Sequence, residues 1–140
     1  MRLWHEALIP RLPRQQLLGQ HRECCALRGL GWGKKHATVD YVFRHPYGWL
    51  VGYHLLVLME MEKRGYSAAP EWNDLSYRGK KCEPLAGYDY AEQVVALLKR
   101  VQEATVGCAM LYPEHDDRYL HECLDNLAAK GVKLEEVKRV

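Results

Sequence analysis

The sequence is most informative first through what it lacks. No stretch approaches the roughly 18 to 20 consecutive apolar residues that a membrane-spanning helix needs, so a membrane partner is not expected. The opening MRLWHEALIPRLPRQQ has no continuous apolar segment of the kind a secretory signal carries, and a cytoplasmic protein is expected. Five cysteines, Cys24, Cys25, Cys82, Cys108 and Cys123, form an odd set without a framework spacing, which favours reduced thiols over disulfides. No two Cys-x-x-Cys or His-x-x-x-His pairs are present to mark a structural zinc site. Phenylalanine is nearly absent: Phe43 stands alone beside nine Tyr and four Trp. Tyr and Trp join a flat apolar face to a polar handle, which suits a wet binding surface and half-buried core positions equally well. Internal repeats and low-complexity tracts are also missing.

What remains is ordinary for a globular domain. Apolar residues make up 48% and charged residues 27% of the chain, which argues against extensive disorder. At 140 residues one domain spanning 1–140 is expected, large enough for its own core. The net charge of +2 hides an asymmetry: residues 1–70 hold ten Lys/Arg against five Asp/Glu, and residues 71–140 hold ten against thirteen. The basic half is either a solvated face or the seat of an anionic partner.

Pro10 and Pro13 bracket a short arm that looks extended over residues 1–12, and Pro13 is well placed to open a helix. The apolar spacing predicts that helix over Arg14 to Arg28. Leu17, His21, Cys24 and Arg28 fall near one line with Leu18 and Cys25 beside it, while Gln16, Gln20 and Glu23 fall on a flank. Gly29, Gly31 and Gly33 then give a loop ending in Lys34, Lys35 and His36. GLGWGKKH does not match the Walker pattern, although its amides and cations are suited to phosphate. A second helix, Tyr47 to Arg64 with Gly65 past its end, is apolar nearly all round and is expected to be the buried centre. His54 within it is expected to be a satisfied core histidine. Residues Tyr66 to Tyr88 form a long loop carrying Trp72, Tyr77, Arg78, Lys80 and Lys81. These are stacking planes and cations for nucleic acid, or else a packed surface loop. Amphipathic helices near Tyr90 to Gln102 and Glu114 to Lys130 complete an all-α architecture.

His21 and Cys24 are three apart on the first helix, a spacing able to bind zinc with Cys25, His36 or Cys82 recruited, but a second ligand pair is missing. A reactive thiol needs exposure and a lowered pKa, whereas Cys24 and Cys25 lie on the apolar line. Arg22–Glu23, on the flank facing the arm, is either a salt-bridge pair or a carboxylate poised for chemistry.

LPRQQLLGQHRE (Leu12 to Glu23), KKH (Lys34 to His36), KRGY (Lys63 to Tyr66) and YRGKK (Tyr77 to Lys81) occur in an order that resembles the pyrimidine-dimer DNA glycosylase/AP lyase family of the phage endonuclease V type. PEHDDRYLHECLDNLAAKG resembles the family's last helix. The resemblance implies a compact all-helical domain with its N-terminal arm packed between helices, acting on damaged double-stranded DNA without metal or cofactor, as a monomer. It implies that the backbone α-amine of Met1 is the nucleophile and Glu23 the essential carboxylate, with Arg2 and Arg22 on DNA phosphates. An α-amine titrates near 7.7 to 8.0, more than two units below lysine, so a useful fraction is neutral at physiological pH. Attack on C1′ of the sugar displaces the base and leaves an imine, and loss of the C2′ proton to Glu23 then expels the 3′ phosphate. Reaching C1′ requires a nucleotide to be extruded from the duplex.

The chain departs from the family at three places. The family usually exposes a small residue, typically threonine, after removal of the initiator methionine; here Arg2 follows Met1, so the methionine is expected to stay. The further arginine of the family's first helix is Ala26 here, with Arg28 as its expected substitute on DNA. The family's aromatic tail has no counterpart in KLEEVKRV. Lys34, Lys35 and Arg78 are the further expected DNA contacts. Two other readings stand beside the enzyme: a non-catalytic helical nucleic-acid-binding module, and a metal- or thiol-dependent regulatory protein using His21, Cys24 and Cys25.

Overall fold

The computed structural model describes residues 1–34, 37–85, 96, 99–102, 110–132 and 134. Among the described residues three α-helices have defined bounds: α1 (Arg14–Arg28), α2 (Tyr47–Lys63) and α3 (Asp117–Ala129). Shorter 3₁₀ segments cover Glu6–Arg11, Ala37–Arg44 and Pro70–Asn73. There is no strand among the described residues, and the all-α expectation holds. Lys35, His36, Cys108, most of the helix expected near Tyr90 to Gln102 and all of KLEEVKRV except Leu134 lie outside the described residues.

The first helix runs over the span its pattern predicts. Pro13 stands at its N-cap with φ −58°, a backbone angle its ring imposes and a helix entry accepts. The helix stops at Gly29, where close packing forbids a side chain: a Cβ there would sit 2.8 Å from the backbone oxygen of Arg78. Gly29→Ala must push two backbones apart and is expected to lower stability by about 1–3 kcal/mol, measured as a fall in the urea midpoint at unchanged slope.

The second helix is the buried centre, with Leu50, Val51, Tyr53, His54, Val57 and Met61 all enclosed. It ends at Gly65, whose φ of +83° suits glycine, and Tyr66 N–H returns to the Met61 carbonyl at 2.8 Å. The last helix starts later than the acidic cluster suggested. Pro113 to His115 form a turn, and Asp116 is the N-cap, its Oδ1 accepting the Tyr119 N–H at 2.9 Å.

The arm differs from expectation in an instructive way. Only its first residues are extended; Glu6–Arg11 winds into a 3₁₀ turn because His5 Nδ1 accepts the Ala7 N–H and the His5 carbonyl accepts the Leu8 N–H at 2.9 Å. Leu3, Trp4, His5, Glu6, Leu8 and Ile9 are all buried. A buried arm needs partners for its backbone groups, and Tyr53, Arg64 and Gln20 are three of the side chains that supply them. Tyr53 donates its hydroxyl to the Trp4 carbonyl at 2.6 Å. Arg64, from the KRGY motif, donates to the Leu12 carbonyl at 2.6 Å and the Pro10 carbonyl at 3.0 Å.

The third partner is Gln20, which is fully buried on the flank of α1 that faces the arm. Its Oε1 accepts the Trp4 N–H at 2.7 Å and its Nε2 donates to the Arg2 carbonyl at 2.9 Å. Helical spacing put Gln20 on the flank of α1 but gives no sign of burial for a polar side chain. The arm brings polar backbone to meet it.

Candidate active site

Because Gln20 holds Arg2 and Trp4 against α1, the chain's first residue lies beside the next turn of the same helix, where Glu23 sits. Met1, Arg2, Trp4, Glu23, Thr38, Asn126 and Lys130 line one cavity of about 420 Å³. The Thr38 hydroxyl donates to the Met1 carbonyl. Burial pushes the Glu23 carboxyl pKa up; the Arg2 backbone N–H, the terminal ammonium, Lys130 and Arg22 pull the other way without reversing it. Once ionised, such a carboxylate is a better base than one in water.

Met1 also borders a second cavity of about 570 Å³. Lys34, Arg78, Lys80 and Lys81 line it, and among the described residues no carboxylate does, so these residues present a one-sided positive field. Leu30 projects there with 63% of its surface exposed.

The expected site residues separate into three groups. Met1 and Glu23 come together. Arg2 lines their cavity, its guanidinium 3.2 Å from Glu122 and 5.8 Å from the centre of the Tyr119 ring. Arg22 is exposed, and a Cβ built on Gly19 would have both the Arg22 guanidinium and the Glu23 carboxylate within 4 Å. Lys34 faces the positive cavity, and Lys35 lies outside the described residues.

Arg78 and Arg28 behave differently. Arg78 lines the cavity but donates to the carbonyls of Arg28 (2.9 Å) and Gly29 (3.3 Å). Arg28, expected on DNA, is completely buried instead. It donates to the carbonyls of Trp72, Asp74 and Tyr77, each at 2.9 Å, and to His54 Nδ1 at 3.1 Å. The charge is spent on ordering the loop. Trp72, read as a possible stacking plane for bases, lies over this guanidinium and edge-on to Tyr77.

His54 is the satisfied core histidine the sequence suggested, and it forms part of a cluster. Its Nε2 is 2.8 Å from His21 Nδ1, and Cys25 Sγ lies 3.8 Å from either His21 nitrogen. Cys24 turns into the core. The donor set does not fit a cation. A guanidinium cannot accept a hydrogen bond, so Arg28 forces His54 Nδ1 to be the acceptor and puts the ring proton on Nε2, the atom a metal would need. Metal-bound histidines normally donate their outer N–H, the reverse of this arrangement. Burial also raises the Cys25 thiol to about 11 and Cys24 well above its usual value, so neither is a thiolate at neutral pH.

Trp4, Thr38, Asn126 and Lys130 carry no motif that would have marked them. They come from three distant parts of the chain, and only folding gathers them around Glu23.

Fold and cavities together define a helical domain that brings its own amino terminus and one helix carboxylate into a pocket beside a groove of cations. Residues 1–74 match the pyrimidine dimer DNA glycosylase family, and the chain belongs to that family. No curated protein and no solved structure matches the chain. The matched stretch contains the arm, α1 and α2; Lys80, Lys81, Asn126 and Lys130 lie beyond it.

Proposed function

We propose that this protein is a DNA-repair glycosylase with AP lyase activity, using the α-amine of Met1 as nucleophile and Glu23 as the carboxylate partner. The single observation that carries the reading is the cavity shared by Met1 and Glu23. On a damaged nucleotide the neutral amine attacks C1′, the C1′–N bond breaks as the base leaves, and opening of the C1′–O4′ bond gives an imine between sugar and protein; at an abasic site the amine adds to the C1′ aldehyde and water leaves to give the same imine. Glu23 opposes the positive charge that develops at C1′ and then accepts the C2′ proton. The lysines of the neighbouring cavity supply charge for the phosphate backbone. Metal and cofactor have no step in this scheme.

Sodium borohydride reduces such an imine to a stable amine. Untagged protein incubated with a duplex carrying one abasic site is expected to give a covalent protein–DNA adduct, visible as a shifted band, and acetylation of the amino terminus is expected to abolish it. Salt-sensitive DNA binding without an adduct would instead favour a non-catalytic binding module.

A further inference from the structure

One cation in the amine–carboxylate cavity has no part in the chemistry above. Lys130 follows the last residue of α3 and lies outside the stretch that matches the family. Its Nζ stands 5.3 Å from the centre of the Trp4 ring, close enough for the ring's negative face to attract an ammonium. Trp4 is itself fixed, its N–H on Gln20 and its carbonyl on Tyr53. The ring therefore seats a side chain that solvent would otherwise leave free, and from that seat the charge of Lys130 reaches Glu23. Among the described residues the other cationic side chain lining the cavity is Arg2, which is engaged by Glu122. Among the described residues no salt bridge takes Lys130.

The geometry points to Lys130 as a catalytic cation of the elimination step, the group that receives the 3′ phosphate as it departs from the abasic sugar. This rests on the imine reading proposed above. In that step the Glu23 carboxylate takes the C2′ proton and the C–H electron pair becomes the C2′–C3′ double bond. The C3′–O bond breaks, and its electrons leave on the phosphate oxygen. A diester with one negative charge becomes a monoester with more. Lys130 keeps its proton throughout and offsets the charge that develops on the leaving oxygen. Imine formation creates no such charge, so it should not depend on this ammonium.

The test follows both steps under single-turnover conditions, with untagged protein and a duplex containing one abasic site. Borohydride trapping reports the imine, and strand nicking without borohydride reports elimination. Lys130→Met is expected to trap at the rate of the unaltered protein and to nick about 10²-fold more slowly; Lys130→Arg should recover most of that loss. Lys130 is exposed, so the thermal melt should not move. Nicking by Lys130→Met at the unaltered rate overturns the inference. Equal loss of trapping and nicking overturns it too, since that result would make Lys130 a binding residue or the imine-forming amine itself. Failure of the unaltered protein to form any adduct overturns the imine reading and takes this inference with it.

Discussion

Glu23→Gln is expected to lose strand cleavage at an abasic site, by about 10²- to 10⁴-fold in single-turnover rate, while remaining folded. Glutamine keeps the size of the side chain and an oxygen for the Arg2 N–H, but it cannot take a proton. The environment of Glu23 adds a pH signature. Because burial raises its pKa, the acid limb of the nicking–pH profile should lie above the ordinary glutamate range, with activity falling as pH drops through that pKa and the carboxylate becomes protonated. The same shift has a consequence for stability. A carboxyl whose pKa is higher folded than unfolded holds its proton more tightly in the folded state. Its contribution to stability is therefore present at acid pH and lost as pH rises through the folded pKa. Above that pKa the ionised Glu23 contributes no such stability, and there Glu23→Gln should melt no lower than the unaltered protein. Cleavage at the unaltered rate, measured on gels against a glutamine variant of equal melting temperature, would remove Glu23 from the chemistry.

Arg28→Ala is expected to give the largest loss of stability, about 3–5 kcal/mol, seen as a lower urea midpoint. Three carbonyls from the 72–77 loop point at this fully buried guanidinium, and each loses a charge-assisted partner. His54 Nδ1 loses its donor at the same time. Arg28→Lys should rescue little, because a single ammonium cannot present the planar fork that reaches all three carbonyls. The experiment also separates two roles that the sequence could not. A phosphate-binding arginine, when removed, leaves stability alone and lowers the salt dependence of DNA binding by about one counterion. A buried one does the opposite. A variant with unchanged unfolding and a reduced salt slope would return Arg28 to the DNA surface.

Several features are legible in the sequence because they rest on local rules. Pro13 and Gly29 bound α1 through backbone geometry alone, and the apolar girth of residues 47–63 marked a central helix whatever its neighbours. Short-range helical spacing also put Cys24 into the core. The order of short motifs marked the family over a stretch that overlaps the matched residues 1–74. Local spacing fails where a polar residue is satisfied by something far away in the chain. The burial of Gln20 was hidden and Arg28 looked available for DNA for the same reason: no window of sequence shows the backbone that comes to meet them.

The sequence by itself determined the helices, the basic first half and the two groups, Met1 and Glu23, on which the proposed chemistry rests. Only the tertiary structure decided that these two share a cavity, that Lys130 joins them from residues more than a hundred positions away, and that Arg28 supports a loop instead of facing solvent. Helix periodicity is set by interactions within a turn or two. A site is set by buried polar groups finding partners across the whole chain, and that pairing exists only once the chain has folded.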